Sequence, residues 1–317
     1  MIMLNIKNSK FLRYYYWMAE VRAIRRGGKN GAVKVAKLLS LLPKALIDWV
    51  SFFRKIQEPT EFKYNTAIVA IVKNEGPYIA EWIDFHKKIG FDKFYIYNND
   101  STDNTVNILQ KYISEGVVDL IPYSGKNLQC FAYNDAIEKH KFECKYMACI
   151  DLDEYILPMT TGTVRDLIDI IEVNKNAGGI GIHWCCFGSS GHKTKPLGRV
   201  IDNYLYRAED SYKNHIAIKT FFNPRKVIAY PNPHYPVYRH GFININENGH
   251  RIVGACDSEI TYSKVRINHY FCKSEEECKR KIARGKADID GNYPWEQFFE
   301  YDRNEVFDDC AVRIYNE

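Results

Sequence analysis

The chain has 317 residues, 46% hydrophobic and 26% charged, which excludes a disordered or fibrous protein and leaves ample core for one large α/β domain with appendages. Its net charge of +5 conceals an asymmetry: up to Gln57 twelve Lys/Arg face only Glu20 and Asp48, so the first segment carries +10 and the remainder −5. A basic arm on a mildly acidic body excludes nucleic-acid binding by the body and points to an anionic partner for the arm.

Residues 1–58 read as a basic amphipathic helical arm. Val33, Ala36, Leu38, Leu41 and Leu42 recur near helical spacing, and Pro43 is expected to break or restart the helix. Arg25-Arg26-Gly27-Gly28 reads as a flexible basic turn, and aromatics beside Lys/Arg near residues 46–55 describe an interfacial helix. Packing of that helix on the body is the alternative. Beyond Pro59 strands and helices alternate. Residues 66–72 (TAIVAIV) form a continuous β-branched run, as in a strand buried on both faces. Pro77 opens a helix to Ile89, and strands are expected at 91–97, 117–123, 146–150 and 179–187. Helices fill 100–114, 128–140, 163–173 and 274–284, the last ended by Gly285. This order predicts an α/β fold with a mainly parallel sheet and flanking helices.

Nine cysteines without CxxC spacing favour a reducing compartment. Lys7, Lys10 and Arg13 interrupt any secretory apolar core, and no run of about 18 apolar residues is available to span a bilayer. The expected location is cytoplasmic, peripheral on the inner face of the cytoplasmic membrane, with residues 1–57 on an anionic lipid surface and no nucleic acid as partner.

Ligands of open α/β sheets bind beyond the carboxyl ends of the strands. Three such ends are rich in acids and amides: Lys73-Asn74-Glu75-Gly76, Asn98-Asn99-Asp100 and Asp151-Leu152-Asp153-Glu154. Strand alternation is expected to point Asp151 and Asp153 to one side, with Leu152 in the core. Two carboxylates on one side suit Mn²⁺ or Mg²⁺, which prefer oxygen ligands and leave positions for diphosphate oxygens. A solvated or capping acid pair is the alternative.

Residues 66–286 resemble a GT-A glycosyltransferase, and more narrowly glycosyltransferase family 92 and its bacterial relatives. The likeness lies in Val72-Lys73-Asn74-Glu75 with Glu81-Trp82, in Tyr97-Asn98-Asn99-Asp100, in Asp151-Leu152-Asp153-Glu154-Tyr155, in Trp184 to His192, and in Ile267-Asn268-His269-Tyr270 with Lys273, Lys281 and Arg284. The resemblance implies a nucleotide-sugar-binding half over 59–160 and an acceptor-binding and metal-completing half over 161–290; residues 291–317 are expected to form a C-terminal helical tail. It implies metal ligation by Asp151, Asp153 and His269. The nucleotide-sugar would meet Lys73, Glu75, Asn98, Asn99, Asp100, Asp151, Lys273, Lys281 and Arg284, and the acceptor Trp184 and Phe187. The expected reaction is inverting transfer of a hexose, galactose first, from a UDP-sugar to a glycan or lipid-linked glycan in bacterial surface-polysaccharide synthesis. His192, Asp202, Glu209 and Asp210 are candidates for the base, and no spacing separates them. An inactive scaffold of the same fold, held on a membrane by its arm, is the competing reading.

Overall fold

The computed structural model describes residues 10–11, 14–15, 31–53, 56–285 and 291–317, of which 31–38 and 51 are described by their backbone alone. The basic turn at 25–30 lies outside the described residues.

Strand β1 (Tyr64–Val72) pairs in parallel with β2 (Lys93–Asn98) on one side and β4 (Cys144–Cys149) on the other, and β3 (Val118–Pro122) lies parallel to β2. Helices α2 (Gly76–Lys88), α3 (Thr105–Ser114) and α4 (Gln129–His140) make the crossovers. The apolar run of β1 serves two cores. Ile68, Ala70 and Val72 pack with Trp82, Phe85, Ile96 and Leu109, while Ala67, Val69 and Ile71 pack with Tyr95, Tyr97, Tyr133 and Ala136. Burial on both faces is what a β-branched run without polar alternation is built for.

Beyond β4 the sheet departs from simple alternation. After β5 (Glu154–Pro158) and α5 (Arg165–Val173), strand β6 (Ala177–Cys186) does not pair with β4. Strand β8 (Ile218–Phe222) inserts between them, antiparallel to both. The order is β12-β11-β6-β8-β4-β1-β2-β3, with β11 (Ile243–Ile245) parallel to β6 and β12 (Arg251–Ile252) at the edge. Strand β13 (Val265–His269) runs parallel to the end of β6 and antiparallel to β5, placing His269 opposite both Cys186 and Glu154. The remaining pieces are α6 (Val200–Asn203), β7 (Tyr206–Arg207), the hairpin of β9 (Val227–Asn232) and β10 (Tyr235–Tyr238), and α7 (Glu275–Arg284). The tail adds α8 (Glu296–Tyr301), β14 (Val306–Phe307) on β7, and α9 (Cys310–Asn316). It is therefore two short helices separated by a strand rather than helical throughout.

Helix α1 (Gly31–Ser51) runs through Pro43 without a break, contrary to expectation. Proline removes the hydrogen bond to the carbonyl four residues back. That residue, Leu39, is exposed, so water can serve its carbonyl. Ala45, Leu41, Trp49 and Phe52 pack on Tyr14, Phe11 and Ala229, while Leu39, Leu46, Ile47 and Val50 are exposed on the other side; Phe53, beyond the helix end, stacks on His240. No helix among the described residues is long and apolar enough to cross a membrane.

Candidate active site

The carboxyl ends of β1, β4, β6 and β13 open on one cavity of about 860 Å³. Asp151 and Asp153 both line it, as expected, but by a different device. Strand β4 ends at Cys149, and residues 151–153 form a turn closed by the Glu154 N–H donating to the Asp151 carbonyl at 3.1 Å. A turn, not strand alternation, turns both carboxylates outward and leaves Leu152 buried. Glu154 faces inward: fully buried, it accepts from the Asp151 N–H at 2.8 Å and lies 3.4 Å from the Lys219 ammonium. Burial pushes its carboxyl up to about 8, with Asp151 and Asp153 adding to the rise against Lys219.

Each aspartate has its own set of partners. Asp151 accepts from Gln129 at 2.6 Å and from the Lys219 ammonium at 2.8 Å. Asp153 accepts from the Lys281 ammonium at 2.5 Å, and its Oδ2 lies 3.7 Å from His269 Nε2. The Tyr270 N–H donates to the Asp153 carbonyl at 2.8 Å, which fixes the turn against the end of β13. Burial alone would raise Asp153, but Lys281 and His269 hold it well below the usual carboxylate range.

The expected three-ligand metal site is not assembled. Among the described residues no three His, Cys, Asp or Glu groups converge. Asp153 and His269 come together, whereas both oxygens of Asp151 are held by Gln129 and Lys219. His269 Nδ1 is buried with no partner among the described residues. An oxygen and an imidazole nitrogen still suit a hard divalent ion of the kind that keeps several positions for water and phosphate.

One wall is cationic. Helix α7 starts with a capping box, in which the Ser274 hydroxyl accepts from the Glu277 N–H and Glu277 reaches back to the Ser274 N–H. Those end donors are therefore occupied, and the charge comes from side chains. Lys281 and Arg284, three residues apart on one face, both line the cavity. Arg284 pairs with Glu75 and donates to the Lys73 carbonyl at 2.7 Å. Lys273, buried at φ +50°, has its ammonium 4.4 Å from the Tyr78 ring centre and makes no hydrogen bond among the described residues. Burial lowers its pKa, against the opposing pull of Asp153 and Glu75.

Lys73, Glu75, Asn99, Asp151, Lys273, Lys281, Arg284 and Trp184 all line the cavity. Three other expected residues serve structure. Asn98 accepts from the Ser101 N–H at 3.2 Å, Asp100 (φ +55°) accepts from the Ser124 hydroxyl at 2.5 Å, and Phe187 is buried against Tyr270. The four base candidates lie outside the cavity lining. His192 sits against the Asn203 carbonyl, Asp202 pairs with Arg199, Glu209 accepts from Ser211, and Asp210 pairs with Arg207.

A profile of glycosyltransferase family 92 matches residues 70–253, more than half of the chain and the span that carries Glu75, Asp151, Asp153 and Trp184. The chain belongs to glycosyltransferase family 92. A family 92 protein of Oryza sativa subsp. japonica is 23% identical over 223 residues, 69% of this chain and 35% of the relative. Another from Ricinus communis is 24% identical over 153 residues, 46% of this chain and 27% of the relative. This family 92 chain thus spans about a third or less of the length of these relatives. Among solved structures, residues 1–349 of TarS from S. aureus are 15% identical, with TM-score 0.35 over 50% of this chain and 47% of that one. Glucosyl-3-phosphoglycerate synthase from Mycobacterium tuberculosis, solved with Mn²⁺ and UDP, is 15% identical, with TM-score 0.29 over 41% and 50%. Likenesses at such scores say nothing about what this chain binds.

Several cavity residues of this family 92 chain escaped the sequence reading. Gln129 is the first residue of α4, and His234 lies in the turn between β9 and β10. Tyr293, Gln297 and Tyr301 come from the tail. The glycine-serine turn explains how the tail arrives. The Ser189 and Ser190 N–H groups donate to Asp302 and Asn304, both at 2.7 Å, and Gly188 lies so close to the Arg303 backbone that a Cβ would meet its carbonyl oxygen at 2.3 Å. Glu81-Trp82 is likewise scaffold: Glu81 accepts from the N–H groups of Val200 and Ile201, and Trp82 donates to the Glu154 carbonyl.

Proposed function

We propose that the chain is an inverting, metal-dependent hexosyltransferase moving a sugar, galactose first among candidates, from a UDP-sugar to a glycan acceptor of surface-polysaccharide type. The observation that carries this reading is the convergence of Asp153, His269, Lys273, Lys281 and Arg284 on one cavity of about 860 Å³. That volume falls in the range of about 300–1,000 Å³ usual for small-ligand sites. Lys273 and Lys281 are the donors for the diphosphate, and Arg284 steadies Glu75 at the nucleotide end. Asp153 and His269 would hold Mn²⁺ or Mg²⁺, which when bound supplies Lewis-acid stabilisation of the leaving diphosphate. Trp184, in ring contact with His269 at 4.0 Å, offers an aromatic face to a sugar.

The exposed stripe of α1 supports an anionic membrane as partner for the arm, with the acceptor lipid-linked. Leu39, Leu46 and Val50 recur at seven and four residues, so they share one face, with Ile47 beside it. A second copy of the chain would bring another +10 arm to that face, whereas anionic lipid complements it.

One observation favours the rival reading of an inactive scaffold: lysines already occupy both aspartates. Asp153→Asn keeps the side-chain volume and separates the two. Transfer predicts that this variant keeps its circular dichroism and loses Mn²⁺-dependent UDP binding and at least 10²-fold of UDP release from UDP-galactose, on the scale of lost charge stabilisation. A folded Asp153→Asn protein with wild-type binding and release would remove the metal assignment.

A further inference from the structure

The carboxylates of the cavity are all engaged. Glu75 is paired with Arg284, Asp103 accepts from the N–H groups of Gly76 and Thr105, and Glu277 accepts from Tyr78, Tyr204 and Ser274. Asp151 and Asp153 hold lysines, and His269 faces Asp153. None of them is placed to take a proton from an acceptor hydroxyl without surrendering a partner.

His234 differs from all of these. It follows Pro231-Asn232-Pro233 in the turn of the β9–β10 hairpin and is held at three points. Its N–H donates to Asn232 Oδ1 at 3.0 Å, its carbonyl accepts from the Thr220 hydroxyl at 2.8 Å, and its Nδ1 lies 2.8 Å from the Ile218 carbonyl. A carbonyl only accepts, so the proton of a neutral ring must sit on Nδ1, and Nε2 is left with a free lone pair. Burial, with Lys219 working in the same direction, pushes the imidazole down to about 4, so the ring is neutral at pH 7. The residue lines the cavity with Asp151 and Trp184, and the Trp184 ring contacts both His234 at 5.3 Å and His269 at 4.0 Å.

We infer that His234 is the catalytic base, its Nε2 accepting the proton of the acceptor hydroxyl, a role that rests on the transfer reading above. The acceptor oxygen forms its bond to the anomeric carbon as the bond from that carbon to the diphosphate oxygen breaks. The electron pair of the broken bond leaves with the diphosphate, and the hydroxyl proton passes to Nε2. The Ile218 carbonyl fixes the ring and stabilises the imidazolium that forms, as an orienting acceptor does for any histidine base. The negative charge of the diphosphate would raise the basicity of the ring and the divalent ion beside His269 would lower it, so the two together set the change on binding. Release of the proton to solvent restores the starting state.

The test uses the full chain, with UDP-galactose and UDP-glucose as donors, water as acceptor and Mn²⁺ present. UDP release is read beside calorimetric UDP binding for His234→Ala and His234→Gln. Both variants are expected to bind UDP within about twofold of wild type and to lose about 10²–10⁴-fold in release, the usual contribution of a positioned base. Added imidazole should restore part of the rate to His234→Ala, an effect that loss of a merely structural ring would not show. Folded variants that release UDP at the wild-type rate overturn the assignment, as do variants that lose UDP binding in step with release. A wild-type protein that neither binds UDP nor consumes either donor overturns instead the transfer reading beneath it.

Discussion

Lys281→Met puts the cationic wall to the test. The ammonium lies 2.5 Å from Asp153 Oδ2, 3.3 Å from the Phe271 carbonyl and 3.7 Å from the Phe271 ring centre. Both charged side chains are largely shielded, at 16% and 13% exposure. For a pair about 4 Å apart at an effective dielectric of about 20 the attraction is about 4 kcal/mol, and removing one member of a buried pair costs about 3–5 kcal/mol. Methionine fills the volume of the lysine stem, so the loss is mainly electrostatic. Two opposite changes in ligand binding follow. Asp153, relieved of a competing cation, should bind Mn²⁺ more tightly in the absence of nucleotide. UDP at saturating Mn²⁺ should bind more weakly, because one charge-assisted hydrogen bond worth about 1.5–3 kcal/mol is gone, roughly a 10- to 150-fold loss. Isothermal titration of each ligand into wild type, Lys281→Met and Lys281→Arg reads both quantities. Unchanged affinity for both ligands in a folded Lys281→Met protein would refute the reasoning and leave Lys281 as a structural partner of Asp153.

Asp308 supplies a pH-dependent prediction away from the cavity. Burial would raise its carboxyl, but Arg266 at 2.7 Å, with the Cys310 N–H donating to it at 3.1 Å, holds it down to about 2. A depressed acid contributes stability above its unfolded value of about 3.9, and that contribution is lost as pH falls from about 4 to about 2. Asp308→Asn should therefore cost about 2–3 kcal/mol more urea stability at pH 7 than it does near pH 2. An equal loss at both pH values would contradict the ion-pair account. For the arm, Ile47→Glu with Val50→Glu removes two exposed apolar side chains worth roughly 1.5–3 kcal/mol each if buried in lipid. Co-flotation with phosphatidylglycerol vesicles should fall at least tenfold, and undiminished flotation would exclude this face of α1 as the contact.

The alternation of elements from β1 to β4 was legible because a parallel strand covered on both faces leaves an unbroken apolar run, as residues 66–72 do. The cavity acids were legible for the related reason that ligand groups gather at strand ends. Strand β8 was not legible. Lys219 interrupts its apolar pattern and reads as exposed, yet it is buried at 1% because Asp151 and Glu154 lie 2.8 and 3.4 Å away. A charge neutralised by residues some seventy positions distant leaves no local trace. His234 was hidden in the same way: the Pro-rich turn around it signals a loop, but only the hairpin register and the Ile218 carbonyl reveal which nitrogen is free. Asp202 and Asp210 misled because an acid near an expected acceptor region looks the same in sequence whether it faces a cavity or an arginine three residues away.

The clasp between Gly188-Ser189-Ser190 and Asp302 and Asn304 has a consequence for the order in which the molecule becomes competent. The sheet and its acids are translated first, but Tyr293, Gln297 and Tyr301 emerge only after the sheet has been made. A nascent chain stalled before residue 291 would hold an open trough in which water reaches the aspartates freely. Completion of the cavity wall is thus tied to arrival of the tail, the last part of this chain to be made.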